Sequence, residues 1–473
     1  MSHPASDPQR PAATGILACL ALAMLLSSLG TSSANVALPT FVHAFGTSFQ
    51  AVQWVVLAYL LAVTTLVVSV GHLGDLLGRR RLLLAGIALF TLASAACAVA
   101  PSLGALVAAR AVQGLGAAVM MALAMALVGD AVPPQRAGSA MGFLGTTSAI
   151  GTALGPSLGG VLVGGFGWPA IFLCNVPLGL VALLLACAYL PPDRKPDRTP
   201  AFDVRGSFVL VLVLAAYALS MTLGHGHFGA ANVALLVAAA AGAALFLVLQ
   251  GRTRFPLLRL ALFRQPRVGS GFAMGFLAAT VAMTTLVVGP FYLAGALHLG
   301  PATIGLVMTA GPLVAALAGL PAGRGVDRFG ARGMGIVGLA AMAVGAAALA
   351  IVSPARGIPG YVLPLVTLTG GFAVFQAANN TAVMAAVEAG QRGVVAGLLT
   401  LSRNLGLVSG ASAMGAVFAM AGGGGARAGT RAVAVVAGTH AAFAFAALLL
   451  VAALLLALAA GRQPQPAAAP AGQ

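Results

Sequence analysis

The residues that decide the fold are Gly71-His-Leu-Gly-Asp-Leu-Leu-Gly-Arg-Arg-Arg81, a short charged segment between two long apolar runs. A related segment, Gly-Arg-Gly-Val-Asp-Arg-Phe-Gly-Ala-Arg, occupies residues 323–332 at an offset of 252. The positions that the two segments share are Gly71 and Gly323, Asp75 and Asp327, Gly78 and Gly330, and Arg80 and Arg332. Glycine, acid and arginine repeated at one fixed offset indicate that the chain contains two related halves.

A second set of matches lies further along the chain. Five glycines, each followed by another glycine 255 residues later, are Gly138, Gly142, Gly151, Gly155 and Gly160. Because the chain holds 62 glycines, one match would mean little, but two ordered sets at nearly the same offset rarely arise by chance. Two parallel halves with a site between them are typical of secondary transporters.

The composition indicates a membrane protein. Hydrophobic residues make up 60% of the 473 residues and charged residues only 7%, whereas soluble domains carry about 25% charged residues. The net charge of +16 would fit nucleic-acid binding, but the basic residues lie in short segments between apolar runs. Short basic loops are instead what orients a membrane protein. We therefore expect a lipid bilayer as partner and no nucleic acid.

The apolar runs give a helix count and an orientation. A helix needs about 20 apolar residues to cross the hydrocarbon core. Fourteen such runs occur, near 14–40, 51–70, 82–100, 104–128, 138–163, 169–190, 206–223, 230–250, 268–294, 302–321, 333–352, 358–383, 394–420 and 437–460. With the N-terminus in the cytoplasm, 19 of the 24 basic residues are cytoplasmic and three lie on the other side. This asymmetry predicts two cytoplasmic termini.

We therefore predict an all-α integral membrane fold with 14 transmembrane helices, as two pseudo-symmetric six-helix bundles plus two linker helices. The predicted parts are a cytoplasmic tail over 1–13, an N-terminal six-helix bundle over 14–190, cytoplasmic loops and two inserted helices over 191–265, a C-terminal six-helix bundle over 266–460, and a cytoplasmic tail over 461–473. The last segment is rich in Pro, Ala and Gln, which predicts disorder.

Ordered motifs connect the chain to a known family. They are Asn35-Val-Ala-Leu-Pro39 at the end of the first helix, Trp54 and Tyr59 in the second, the charged segment after it, Leu106–Gly116 in the fourth and Gly151–Gly160 in the fifth. By these motifs the chain resembles the major facilitator superfamily, and within it the fourteen-helix drug:proton antiporter branch, over nearly its whole length. The resemblance implies the facilitator fold, alternating access and protons as the coupling ion.

The predicted gating and coupling residues are Gly71, Asp75, Gly78, Arg79, Arg80, Arg110, Gly155, Pro156, Asp327 and Arg328. Asp75 can accept charge-assisted hydrogen bonds from arginine or from a helix start, which suits a contact that holds the two halves together in one state. The alternative is a solvated acid in a topology anchor. Glycines four residues apart around Pro156 allow close helix approach and a kink, or serve packing alone.

Arg110 is the most informative single residue. A charged side chain in mid-helix is expensive, so it usually faces a partner or a water-filled cavity. The resemblance implies a role in coupling, and the alternative is an arginine that bonds neighbouring helices.

The acids bear on both coupling and substrate. None of the eight acids lies in the middle of a predicted helix. The antiporter branch usually has an aspartate five residues before the Asn-Val-Ala-Leu-Pro stretch, and that position is Gly30 here. Proton coupling through that carboxylate is therefore excluded. Because a multiply cationic drug would need a buried carboxylate, we expect a neutral or anionic substrate.

The candidate substrate cavity contains uncharged amides, aromatic residues and one arginine. These residues are Asn35, Gln53, Trp54, Tyr59, Gln113, Tyr292, Gln376, Asn379, Asn380 and Arg403. Each amide could equally bond neighbouring helices. No phosphate-binding glycine loop and no metal-ligand cluster is present in the sequence, so neither a cofactor nor a metal is predicted.

We therefore predict a secondary active transporter of the bacterial inner membrane, functional as a monomer, that exports a small organic molecule. One alternative is an uptake permease for a vitamin-like metabolite such as riboflavin. A non-transporting membrane sensor is an alternative of another class. The lack of clustered catalytic groups at membrane depth argues against an enzyme.

Overall fold

The computed structural model describes residues 9–131, 134–193, 204–222, 229–253, 266–387, 392–422 and 431–460. All regular structure in these ranges is helical. The helices are α1 Gln9–Val36, α2 Leu38–Ala44, α3 Phe49–Leu77, α4 Arg79–Ala98, α5 Leu103–Ala131, α6 Pro134–Phe166, α7 Ala170–Leu173, α8 Asn175–Tyr189, α9 Val204–Thr222, α10 Ala230–Arg252, α11 Pro266–Gly295, α12 Pro301–Phe329, α13 Ala331–Leu349, α14 Gly357–Ala385, α15 Arg392–Ala421 and α16 Arg431–Ala460.

Twelve helices in the described ranges are long and apolar enough to cross a membrane. A span of 18 to 32 residues rises far enough to cover most or all of the hydrocarbon core. The helices α6 and α9 contain shorter apolar stretches, Ile150–Phe166 and Phe208–Tyr217. The predicted multi-pass helical fold is therefore confirmed. Length and composition identify twelve candidate spans among the described residues, and the count of fourteen stays a prediction.

The charged segment is helical over most of its length. Helix α3 continues through Leu77, and the Gly78 N–H still donates to the Gly74 carbonyl at 3.0 Å. Only Gly78 leaves the helical conformation, with φ of 94°, and Gly330 does the same at 82°. A positive φ requires glycine at these two positions. A charged, glycine-bearing segment between two apolar runs favours a tight loop around Asp75. That expectation is wrong, because one left-handed residue is enough to separate α3 from α4. The surroundings of Gly71 and the side chain of Asp75 lie outside the described residues.

Helices α1–α8, here called the N-terminal half, pack mainly against one another, and so do helices α11–α16, the C-terminal half. The same glycine contacts occur in both. A Cβ atom on Gly116 of α5 would lie 2.7 Å from the Gly86 carbonyl oxygen of α4. A Cβ atom on Gly371 of α14 would lie at the same 2.7 Å from the Gly338 carbonyl oxygen of α13. Small residues let these helix backbones touch.

The second glycine set brings a parallel helix pair together in each half. Gly151 of α6 lies against the backbone of Leu25 in α1. Gly406 of α15, 255 residues later, lies against the backbone of Phe276 in α11. The offset seen in the sequence is therefore matched by equivalent backbone contacts.

The two halves meet where α1 ends. Helix α6 packs against α12, and α3 packs against α15. Gly160 and Gly305 face each other closely enough that a Cβ atom on either would lie 2.8 Å from the Cα atom of the other. Helix α9 contacts both α3 and α15, so it lies along the seam between the halves.

Candidate transport site

Arg110 of α5 is the only charged side chain among the fully buried residues that the structure describes. Its Nε donates to the Val55 carbonyl at 2.8 Å, and its Nη1 donates to the Gln113 side-chain oxygen at 2.6 Å. The guanidinium carbon lies 4.2 Å from the centre of the Tyr59 ring, a cation–π distance. Arg110 of α5 is therefore hydrogen-bonded to the backbone of α3 at Val55.

The hydrogen bonds continue from Arg110 into α4 and α1. The Gln113 amide nitrogen donates to the Ser94 hydroxyl at 2.7 Å, and Ser94 donates to the Phe90 carbonyl at 2.7 Å. The Tyr59 hydroxyl donates to the Ser27 carbonyl at 2.7 Å. Four helices are therefore joined by one buried polar network, in which Arg110 carries the only charge.

Some buried side chains of the N-terminal half carry an atom without a described hydrogen-bond partner. The second terminal nitrogen of Arg110, Nη2, has none among the described residues. The side-chain oxygens of Asn35 and Asn175 are likewise buried without a donor. Because an unsatisfied buried polar atom is costly, each of these atoms is a candidate for binding a polar partner.

Gly30 lies next to Tyr59 of the polar network. A Cβ atom on Gly30 would lie 3.2 Å from the Tyr59 hydroxyl and 3.3 Å from the Phe90 ring. An acid at position 30 would therefore stand beside the ring that covers Arg110. Here that residue is glycine, and the network contains no acid.

Several predicted cavity residues are enclosed between helices. Tyr59, Gln113, Asn35 and Tyr292 are fully buried. Tyr292 stacks on Tyr361 at 5.6 Å between ring centres in the core of the C-terminal half. These four side chains therefore do not face open space in this conformation.

The other predicted cavity residues differ in their contacts and in their exposure. Gln53 of α3 donates to the Ala411 carbonyl of α15 at 3.1 Å, which is a bond between the halves. Asn379 of α14 donates to the Gly271 carbonyl at 3.0 Å. The half-buried side chains are Trp54, Gln376 and Arg403, and Asn380 is exposed. The structure thus brings Tyr59, Gln113 and Arg110 together but does not join them to the residues of α14 and α15.

The predicted gating residues lie at both ends of the helices. Gly155 of α6 lies against Ser32 of α1, and the Pro156 carbonyl faces Gly305 of α12. The glycines around Pro156 therefore pack α6 on two neighbours at once. At the other end, Asp327 and Arg328 are exposed beside Gly330.

Asp193 makes a contact beside the predicted gating arginines that no motif in the sequence indicates. Its carboxylate accepts hydrogen bonds from the backbone N–H groups of Arg80 at 2.7 Å and Arg81 at 3.2 Å. The Arg80 side chain in turn donates to the Cys187 carbonyl near the end of α8 at 3.0 Å. Asp193 thus caps α4 from more than 100 residues away, a role that local capping patterns cannot reveal.

Comparison with known proteins agrees with this architecture. The family model described as Major Facilitator Superfamily matches residues 20–411, and a second match covers 271–473. The chain is 32% identical over 403 residues to the multidrug efflux pump LfrA of Mycolicibacterium smegmatis, covering 85% of this chain and 80% of that protein. It is 29% identical over 404 residues to the riboflavin transporter RibZ of Clostridioides difficile, covering 85% and 88%.

Solved structures agree on the fold. A bacterial homologue of the human lysosomal transporter Spinster, in an inward-facing and occupied conformation, superposes with a TM-score of 0.73. The alignment covers 97% of this chain and 98% of that one at 16% identity. At this identity the likeness concerns the fold alone.

Proposed function

Since this chain belongs to the major facilitator superfamily and is a transporter rather than an enzyme, we propose that it exports a neutral or anionic organic compound by alternating access between its two halves. The observation that carries the proposal is a buried arginine in a membrane domain whose twelve candidate spans contain no acid. A carrier of organic cations would need a carboxylate at membrane depth to offset the desolvation of its substrate.

The contacts between the halves support a state that is closed at the external end. Phe49 of α3 lies 4.4 Å from Phe291 and 5.0 Å from Phe418 between ring centres, so aromatic rings join the halves where α1 ends. With the N-terminus in the cytoplasm, as the basic loops indicate, that end is external. The cytoplasmic end would then be the open one, and outward opening must separate the ring cluster and the Gly160–Gly305 contact.

We also propose that α6 and α9 cross the membrane, which restores fourteen spans and two cytoplasmic termini. Helix α6 runs parallel to α1 through the contacts of Gly151 and Gly155, and α1 is a candidate span. Helix α9 packs along the full-length span α10. The proposed parts remain the bundles over 14–190 and 266–460 with an insertion over 191–265, in a monomer of the bacterial inner membrane.

The residue at position 30 bears on how transport is coupled. With Gly30 at the usual acid position, protons cannot be carried by a carboxylate in the first helix. Asp75, at the cytoplasmic end of α3, is proposed to hold the halves together in one state rather than to carry the coupling ion. Asp75→Asn should therefore abolish most transport without reducing membrane insertion.

The test is export from cells and uptake into proteoliposomes with the purified protein. A panel of neutral, anionic and cationic compounds should show movement of the first two classes and little of the third. Arg110→Ala should lose most transport at normal membrane abundance. Preferred transport of a multiply charged cation would contradict the proposed substrate class.

Uptake of a vitamin-like molecule is the second candidate, favoured by the similarity to RibZ over 85% of this chain. Riboflavin has a planar ring system and is neutral, so its binding needs no carboxylate at membrane depth. Rescue of a riboflavin auxotroph at limiting vitamin would support uptake. Export of a toxic compound without rescue would support efflux.

A further inference from the structure

Arg110 is a buried cation whose described neighbours are all neutral. Its contacts are the Val55 carbonyl, the Gln113 amide oxygen and the Tyr59 ring. Arginine keeps its charge in proteins. A buried charge that is hydrogen-bonded only to neutral groups recovers part of its hydration energy, and a counter-charge normally supplies the rest.

No acid lies within the twelve candidate spans of the described helices, so none there can supply that counter-charge by a small movement. The nearest acid along α5 is Asp130, 20 residues from Arg110, or about 30 Å along the helix axis. On α3, Asp75 lies 20 residues beyond Val55, again about 30 Å away. The remaining spans contain no acid at all.

The guanidinium also has an open hydrogen-bonding direction. Nη2 of Arg110 has no partner among the described residues, although the side chain is completely buried. An N–H group on a cation is the donor that an anion binds most strongly. The charge and the open donor therefore belong to the same group.

We propose that Arg110 is an anion-binding site for one small anion, either a chloride ion or the carboxylate of an organic solute. The Nη2 group donates to the anion, while Val55, Gln113 and Tyr59 hold the guanidinium in place. Binding of a chloride ion would not depend on the proposed function. Binding of the carboxylate of a transported solute rests on it. The site replaces the acid that position 30 lacks.

The experiment measures thermal unfolding of the purified full chain in detergent, in sodium salts of equal ionic strength. The chain's two tryptophans report on this region. Trp54 precedes Val55, and Trp168 lies 6.3 Å from Phe172, whose ring is 5.8 Å from the Arg110 guanidinium. Isethionate, a larger organic sulfonate, is the reference anion, and chloride and formate are the probes.

We expect the unfolding midpoint to rise by about 2 °C or more when the probe replaces isethionate, because a ligand that binds only the folded state stabilises it. A rise in chloride identifies a resident halide. A rise in formate alone identifies a carboxylate subsite. No rise with either anion overturns the proposal, whether or not the protein transports anything.

Two variants test the assignment to Arg110. Arg110→Gln removes the charge and should abolish the rise. Gly30→Asp keeps Arg110 and adds a carboxylate next to the Tyr59 ring, so it should also abolish the rise by replacing the external anion. The matched control is Gly333→Asp, since a Cβ atom there meets nothing within 4 Å. It should keep the full rise, and loss of the rise in this control would contradict a local site.

Discussion

The two halves of the molecule share their backbone packing but enclose different chemistry. Gly86 and Gly116 bring α4 and α5 together as Gly338 and Gly371 bring α13 and α14 together. At the same offsets, the polar network of the N-terminal half is replaced by small or apolar residues. Arg110, Gln113, Ser94 and Tyr59 correspond to Leu365, Leu368, Ala346 and Gly311.

The corresponding residues of the C-terminal half also lie next to one another. Leu365, Leu368 and Ala346 are buried in one apolar cluster, and Gly311 lies against Leu365 as Tyr59 lies against Arg110. The repeat therefore preserved the positions at which backbones touch, where no side chain fits. Charge and hydrogen bonding were free to differ, and among the described residues only the N-terminal half has a fully buried charged side chain.

The largest effect should come from placing the arginine in the other half. Leu365→Arg would bury a charge among apolar residues of the cluster, without the amide and carbonyl acceptors of Arg110, and should abolish folding. Gel filtration of the detergent-solubilised protein checks this. Leu365→Met is the volume-conserving control and should cost less than about 1.5 kcal/mol. A folded Leu365→Arg protein would show that the halves are electrostatically equivalent.

The shared packing should respond equally to the same substitution. Gly116→Ala and Gly371→Ala each place a Cβ atom 2.7 Å from a backbone oxygen and nitrogen of the neighbouring helix. Each should lower the free energy of unfolding by about 1–3 kcal/mol, measured by denaturation in detergent. Gly319→Ala, where nothing lies within 4 Å, should be neutral or stabilising. A large difference between the first two variants would contradict the equivalence of the packing.

The two halves also differ in whether their buried tyrosine hydroxyls have hydrogen-bond partners. Tyr59→Phe removes the bond to the Ser27 carbonyl and should cost about 1 kcal/mol of unfolding free energy. Tyr59→Leu also removes the ring from Arg110 and should cost about 1–2 kcal/mol more. Tyr361 of the C-terminal half is equally buried, but its hydroxyl has no described partner. Tyr361→Phe should therefore change the unfolding midpoint least, and a loss as large as that of Tyr59→Phe would reveal a hidden partner.

A small effect, comparable to that of Tyr59→Phe, is expected at the N-terminal cap of α4. Asp193 fills the space in front of Gly78, whereas nothing lies within 4 Å of Gly330 at the equivalent position. Asp193→Ala removes a partly exposed cap and should lower stability by about 1 kcal/mol. Asp193→Asn keeps one acceptor oxygen and should lower stability by less than Asp193→Ala does. Equal stability of Asp193→Ala and the parent protein would mean that the cap contributes nothing to α4.

The charged segment shows why some local predictions failed. Gly71, Gly74 and Gly78 look alike in the sequence, and each permits a sharp turn or a close helix approach. Only Gly78 has a positive φ, because the Gly78 N–H still closes the last turn of α3 and Asp193 then caps α4. A cap that comes from a distant segment leaves no signal near the residues that it serves.

The sequence by itself determined the membrane class, the twofold repeat and the family, because these follow from composition, apolar run length and spacings along the chain. It also determined that the spans lack an acid, since that is a matter of counting. The tertiary structure alone decided that Arg110, Tyr59, Gln113 and Ser94 form one enclosed network, while Tyr292 belongs to a separate core. The physical reason is that helix periodicity fixes which side chains share a face, but only packing fixes which faces meet.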